Sequence, residues 1–468
     1  MELVLFLEVH QPLRMRPVLL LPAGSQPSRL QELFEWEVNR EVFQRVAERV
    51  YVKASRLLLE SLREDEEFKV TFSISGLALE AMERWRPEVL DIFAKMLETG
   101  RVELVAQTYY HSIAWLLDRE EFAEQVREHV SKLREVFGYV PTAAENTEFI
   151  YDNDLACTLH KMGFRATITE GIEWLRGFRG PNHVYRAWGC DMRVLLRNYR
   201  LSDDVGFRFG LRQWDQYPLT ADKYMGWISS SPGEVVTVAM DYETFGEHQW
   251  EETGIYEFLR WLPREARRRR VKFSTLTEAA LNHEPAGAID VPPWSPVSWA
   301  DERDVSAWLG NEAQRAHAEM LRNLYPYARA LRRGHLRLWR LMSVSDHFYY
   351  QATKTGPAGE VHSYFNPYGS PYVAQLLYQR ALSLLLEELR EGAREDPCSF
   401  LERFRAPDHL CFYPSDPGER RACSLAELLE GLKRGGIWEE HLKRGHVERW
   451  AREVLLVELE RARSCEKL

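Results

Sequence analysis

EVVTVAMDYETFGEHQW, residues 234–250, opens on a nearly pure apolar run, Val235–Met240, and then delivers Asp241, Tyr242 and Glu243, with Gly246, Glu247, His248 and Trp250 just after. A short apolar run bounded by turn residues reads as a strand buried on both faces. An acid placed where such a strand stops is what a β/α barrel presents, because its site is built at the C-terminal strand ends.

Outward from that stretch the same grammar repeats. Strands are predicted at Glu2–Val9, Lys69–Ser75, Arg101–Thr108, Ala143–Ile150, Ala166–Glu170, Arg193–Arg197, Glu234–Asp241 and Val271–Ser274. Helical patterns lie between them. Asn39–Arg63 carries apolar residues near a 3.6-residue period, and Glu88–Thr99, Glu120–Phe137 and Asp154–Met162 each stop at a glycine. Alternating strands and helices imply repeated β/α units over residues 1–285. Residues 176–223 mix Gly, Pro, Asn and Asp among aromatics and read as inserted loops over the barrel mouth. After the Pro285–Pro296 break the chain reads as helical to residue 468: Asn311–Met342, Val373–Arg394, Ser424–Lys433 and Trp438–Arg463, with a Gly/Pro-rich loop at Ala352–Pro371. Residues 286–468 are therefore expected to form a helical domain that braces the barrel and lines its cleft.

Composition narrows the function. Apolar residues at 45% and charged residues at 28% of 468 describe a folded chain. A net charge of −10 argues against a nucleic-acid partner, which calls for a basic face. No run approaches a membrane span, and the apolar Leu3–Leu7 lacks the flanks of a signal peptide, so cytoplasmic residence is expected. Cys157, Cys190, Cys398, Cys411, Cys423 and Cys465 form no CxxC pair, which disfavours zinc. Ordinary buried thiols are expected, with Cys398, Cys411 and Cys423 the first place to look for a disulfide. No HExxH or phosphate-loop motif occurs, and Asp203-Asp204 reads as a turn or substrate-loop element rather than a cation site.

Four predicted strand ends carry carboxylates: Glu8 with His10, Glu103 leading to His111, Glu145 with Glu148, and Asp241 with Glu243. Buried acids cost free energy unless paired, so a purely structural barrel has no need of them there. Two carboxyls facing one pocket are the equipment of glycoside hydrolysis, with one attacking or activating water while the other protonates the leaving oxygen. Spacing alone does not choose among Glu8, Glu103, Glu145, Glu148, Asp241, Glu243 and Glu247.

The pieces HQP (His10–Pro12), GRVELVAQTYYHS (Gly100–Ser112), ENTEFIYDND (Glu145–Asp154), MDYETFGEHQW (Met240–Trp250) and STLTEA (Ser274–Ala279) resemble, in order, the five sequence blocks of glycoside hydrolase family 57. SAWLGN (Ser306–Asn311) and SDHFYYQATK (Ser345–Lys354) are similar to its archaeal, thermophile-type α-amylase branch. The resemblance implies an incomplete seven-stranded barrel with a helical bundle, α-1,4-glucan or maltooligosaccharide substrates, retention of configuration, and neither metal nor organic cofactor. By position it implies Glu148 as nucleophile and Asp241 as general acid/base, with carboxyls about 5–5.5 Å apart for retention. It places Glu8, His10, Glu103, His111, Glu243 and His248 around the sugar, and offers Trp174, Trp250 and Trp308 as stacking platforms. Family members often show HNHQP; Glu8 stands here where the earlier histidine would be. Transfer to a sugar acceptor (4-α-glucanotransferase or branching enzyme) and non-catalytic glucan binding are the competing readings, and oligomeric state stays open.

Overall fold

The computed structural model describes residues 1–17, 29–34, 36–176, 179–331, 333–414 and 420–465. Two compact units emerge, Met1–Arg14 with Trp36–Gly310, and Met15–Glu35 with Asn311–Leu468. Residues 286–310, which composition groups with the helical region, thus sit in the first unit, and a segment near the N-terminus joins the second.

The first unit contains strands β1 (Glu2–Val9), β2 (Val70–Ile74), β3 (Val102–Val105), β4 (Ala166–Glu170), β5 (Val184–Ala187), β6 (Arg193–Arg197), β7 (Val235–Asp241), β8 (Lys272–Phe273) and β9 (Ala288–Ile289). Parallel pairs run β3-β2-β1-β7-β6, and β4 pairs with β6 on its other side. Beyond β3, Ala106 bridges Ala144, and Ala143 bridges Ala166 at the start of β4. Those two bridges close a seven-stranded ring from β1, β2, β3, residues 143–144, β4, β6 and β7. Ala143–Ile150, read as a full strand, contributes only its first residues to that ring and then turns away through the short helix Thr147–Phe149. β5 is antiparallel to β6 and pairs with the two-residue β9, so the expected loop region 176–223 holds ordered strands as well as the helix Tyr199–Gly206.

Strand alternation sorts the core into two faces. Leu3, Leu5, Leu7 and Val9 of β1 pack outward with the surrounding helices, among them Lys53–Glu64 and Ile255–Arg268. Val4 and Phe6 point inward with Val105, Ala143, Ala166, Ile168, Leu195, Val235 and Ala239. Leu276, Ala279 and Ala280 of the helix Leu276–Asn282 complete this inner cluster and plug the N-terminal end of the barrel.

The second unit is helical, its longest elements being Glu312–Leu331 and Pro371–Glu395. Buried polar bonds pin them: the Trp339 indole donates to the Leu321 carbonyl at 2.7 Å, and the Tyr378 hydroxyl to that of Met342 at 2.7 Å. Gly356–Phe365 is a helix inside the segment expected to be a loop, with Pro357 in its first turn, where the missing N–H costs nothing. The single helix expected over Trp438–Arg463 is three, Ile437–Lys443, His446–Glu453 and Leu459–Ser464, the first break falling at left-handed Gly445. Among the described residues no helix is long and apolar enough to cross a membrane.

The cysteine expectation is corrected. All six are joined, as Cys157–Cys190, Cys398–Cys465 and Cys411–Cys423. Separations of 33, 67 and 12 residues give no sequence signal for the pairing.

Candidate active site

The inward rows of the seven strands end in a polar ring. Continuing each row by two residues gives Glu8 on β1, Ser73 on β2, Gln107 beyond β3, Glu145 after Ala143, Glu170 on β4, Arg197 on β6 and Asp241 on β7. Register supports the level: Glu8 pairs with Ser73 on one side and Asp241 on the other. Below this layer the inward rows are largely apolar, and the polar ring stands at the C-terminal strand ends, as barrel geometry favours.

Loops add a second tier. Glu148 has φ of 62° and Phe149 of 50°, and His111 has φ of 50°, all left-handed backbone in non-glycine residues. Conformations of this kind cost on the order of 1–3 kcal/mol each and persist where their surroundings hold them. The Trp299 indole N–H donates to Glu148 Oε2 at 2.7 Å. His111 stands between two acids, with Nδ1 3.3 Å from Glu8 Oε1 and Nε2 3.7 Å from Glu148 Oε1. Its ring stacks on His10 at a centroid distance of 4.1 Å, and His10 Nδ1 is hydrogen-bonded to Ser75 Oγ at 2.8 Å. Gln107 joins the tiers, its Oε1 3.0 Å from His111 Nδ1 and its Nε2 donating to Ser73 Oγ at 2.7 Å.

Each acid is managed differently. Glu8 is fully enclosed and its carboxyl is held well above the ordinary carboxylate range, first by burial and then by the charges of Glu145, Asp241 and Glu148. Glu145, within hydrogen-bonding reach of Glu8, is pushed up to about 7, chiefly by burial. Glu243 is pushed up to about 8 by burial and by Asp241, while the hydroxyl of Tyr51 and the amide of Gln11 donate to it. Glu170 is answered by two guanidiniums, Arg197 at 2.9 Å and Arg303 at 2.7 Å. Glu247 is bound through both oxygens, by Arg45 at 3.0 Å and Arg49 at 3.2 Å. Side chains of Glu8, Glu145, Glu170 and Glu243 are 4% exposed or less, whereas Glu148 and Asp241 are half-buried and open to solvent. Asp241 is the register partner of Glu8, and His111 lies 3.3 Å from Glu8 and 3.7 Å from Glu148, so both open acids border one site.

The structure therefore brings together Glu8, His10, His111, Glu148, Asp241 and Glu243, although Glu8 and Glu243 lie behind the surface and reach a ligand only through their neighbours. His248 sits beside them by its backbone N–H, which donates to the Glu243 carbonyl at 3.0 Å; burial pushes its imidazole down to about 4. Two expectations are corrected. Glu103 stands near the start of β3, level with Thr71, and its carboxylate accepts from the backbone N–H (3.0 Å) and hydroxyl of Thr277. It caps the plug helix at the opposite end of the barrel because its strand begins only one residue before it. Trp308 is wholly buried and offers no face for stacking. Trp174 and Trp250 are exposed by 58% and 63%, the latter with its indole donating to the Glu247 carbonyl. Asp203 and Asp204 lie inside a helix and are ion-paired with Arg197 and Arg208 at 2.6 and 2.7 Å.

Sequence reasoning missed Trp299, Tyr51 and Arg303, which sit in no periodic pattern pointing at the site. Arg197 carried a signal, as the last residue of a predicted strand.

A family model described as Glycosyl hydrolase family 57 matches residues 4–292. A Methanocaldococcus jannaschii protein named "Putative alpha-amylase" is 42% identical over 388 residues, covering 80% of this chain and 82% of that one. Among solved structures, a family 57-type branching enzyme from Pyrococcus horikoshii superposes with a TM-score of 0.59 at 16% identity, over 84% of this chain and 94% of that one. The alpha-amylase AmyC from Thermotoga maritima gives 0.53 at 14% identity, over 85% and 96%. Both solved structures share the fold. On the extent of the family match and of the archaeal relative, the chain belongs to glycosyl hydrolase family 57.

Proposed function

We propose that this protein is a retaining enzyme of α-1,4-glucans that cleaves by double displacement, with Glu148 as nucleophile and Asp241 as general acid/base. One observation carries the assignment: at the barrel mouth these two are partly exposed, whereas Glu8, Glu145, Glu170 and Glu243 are buried. A nucleophile must be an accessible carboxylate, and the Glu148 carboxylate is oriented by the Trp299 indole N–H. In the first step Glu148 attacks the anomeric carbon and forms an ester while the glycosidic bond breaks, and protonated Asp241 gives its proton to the departing oxygen. In the second, Asp241 takes a proton from water as that water attacks the anomeric carbon and the ester breaks. His10 and His111, stacked at the rim, face the sugar, and the exposed rings of Trp174 and Trp250 offer flat surfaces for further glucose units.

Maltoheptaose tests the reading. Products shorter than the substrate mean hydrolysis; longer ones mean transfer to a sugar acceptor, which uses the same two carboxylates. Glu148→Gln and Asp241→Asn should each cut turnover by roughly 10²–10⁴-fold without unfolding the chain. Full activity in either variant would remove the assignment, and no turnover by the parent on any α-glucan would favour a binding protein. Cytoplasmic residence is proposed with it; three disulfides fit a cytoplasm of the hyperthermophile kind, where intracellular proteins can hold them. Cell fractionation of the source organism decides.

A further inference from the structure

Among the described residues, four of the six non-glycine positions with left-handed backbone, His111, Glu148, Phe149 and Arg303, fall on the site or one contact from it. The first three carry or adjoin the carboxylate cluster. Arg303 pairs with Glu170 rather than with an acid that faces the ligand, yet its guanidinium is held on two sides. Its Nη1 donates to Glu170 Oε2 at 2.7 Å and to the Trp299 carbonyl at 2.8 Å, and the group lies 4.7 Å from the ring centre of Tyr199.

Glu170, completely enclosed at the end of β4, would be prohibitively placed without compensation. Arg197 donates to its Oε2 at 2.9 Å and the Gly171 N–H to its Oε1 at 2.7 Å. Gly171 is required here, since a Cβ on it would lie 2.3 Å from the Arg197 carbonyl oxygen. The triad reaches both carriers of the open acids. Through Arg303 it grips Trp299, whose indole donates to Glu148 Oε2 and whose backbone N–H donates to the Glu148 carbonyl at 3.2 Å. Through Arg197 Nε it holds the Ala239 carbonyl at 2.8 Å, two residues before Asp241 on β7. Thr169, next to Glu170, donates its hydroxyl to the Phe149 carbonyl at 3.0 Å and closes the loop on the strained turn.

We infer that Arg303, anchored by the buried Glu170–Arg197 pair, is a positioning residue that sets the nucleophile: it fixes Trp299 and thereby the rotamer and strained turn of Glu148. The inference rests on the proposed role of Glu148 and adds a device for holding it. Two hydrogen bonds from one tryptophan, side chain to side chain and backbone to backbone, define the orientation of a carboxylate whose own backbone is unfavourable. Arg303 closes the turn after that tryptophan, its backbone N–H donating to the Ala300 carbonyl and its guanidinium to the Trp299 carbonyl.

The test compares the parent with Arg303→Met and Arg303→Lys. Glu170 keeps Arg197 in both, so the fold survives, and thermal unfolding checks it. A 5-fluoroglycosyl fluoride of α-glucose is the probe. Intact-mass spectrometry gives the rate at which one fluoroglycosyl group adds, peptide mapping shows whether it sits on Glu148, and the end point counts active sites. Arg303→Met should lower both that rate and kcat per active site by about 10–100-fold, the scale of a displacement near 1 Å, with KM within about threefold. Arg303→Lys should recover part of the loss by donating to the Trp299 carbonyl. A merely structural role would lower the melting temperature and the number of active sites but leave the rate per site unchanged, and that result overturns the inference. Labelling of the parent at a residue other than Glu148, or not at all, instead removes the proposed function and this inference with it.

Discussion

Replacing Glu145 by Gln should flatten the loss of stability with rising pH. Glu145 and Glu8 are both enclosed, and Glu145 is pushed up to about 7 from an ordinary carboxyl value of 4.5. Between those pH values the folded chain binds a proton at Glu145 that the unfolded chain has released. Stability therefore falls as pH rises through the interval, by about 1.4 kcal/mol per pH unit for one proton. Accumulated from 4.5 to 7, the penalty on the parent is about 3 kcal/mol, fully developed above the folded-state value. Glutamine keeps the volume, does not titrate, and can donate its amide to Glu8. Urea unfolding at constant ionic strength, at half-unit steps from pH 5 to pH 8, measures the difference directly. The curve for Glu145→Gln should pull away upward from that of the parent as pH rises, with unchanged m-values. Glu243, also displaced upward, contributes to both curves and cancels in their difference. Parallel curves would refute the argument, because they would mean that Glu145 titrates alike in the folded and unfolded chains.

Other outcomes follow from single contacts. Trp299→Phe removes a hydrogen bond to a charged acceptor, worth roughly 1.5–3 kcal/mol, so kcat should fall about 10–150-fold while the melting temperature moves little; unchanged kcat would dissociate Trp299 from the chemistry. Trp308→Ala should cost about 3–5 kcal/mol of stability and leave KM for maltooligosaccharides unaltered per folded molecule, whereas a stacking platform would do the reverse. Glu103→Gln should likewise act on stability, by about 1–3 kcal/mol, without changing KM. Thiol titration of the unfolded, unreduced chain should find no free cysteine, and cutting the Cys398–Cys465 link, which closes a 67-residue separation, should lower stability by about 4 kcal/mol.

The barrel was legible because β1 and β7 are apolar runs that end in acids, which placed Glu8 and Asp241 at strand ends. Legibility failed where a residue's level along the strand mattered more than its face. Glu103 has the right face and the wrong end: reading the strand as Arg101–Thr108 hid that β3 begins at Val102 and that Thr277 waits below it. Trp308 shows the limit for aromatics, since a surface ring and a core ring look alike until the packing partners are known. Trp299 and Arg303 lie in an irregular stretch after the Pro-rich break, where neither a period of two nor one of 3.6 exists to orient a side chain. The disulfides were illegible for a related reason, as pairing across 33 or 67 residues depends on where the folded chain returns.

The placement of so many acids at one barrel mouth poses an electrostatic problem, and its solution bears on which of them react. Like charges a few ångströms apart in a poorly solvated pocket repel by several kcal/mol, so they cannot all stay ionised. The chain answers each differently: burial, which favours the neutral acid, for Glu8 and Glu145, two guanidiniums for Glu170, a phenol and an amide for Glu243. Each of these acids is also buried away from a ligand. Glu148 and Asp241 stay partly exposed, with the Trp299 indole donating to Glu148 and the His111 imidazole 3.7 Å from it. Glu8 in place of a histidine then has a role beyond contact. Its carboxyl, pushed toward the neutral form by burial and by the charges of Glu145, Asp241 and Glu148, stands 3.3 Å from His111, the ring that faces Glu148. On this argument both Glu8→His and Glu8→Ala should depress kcat, and an active Glu8→His variant with parental kcat would show that the Glu8 carboxyl has no bearing on the nucleophile.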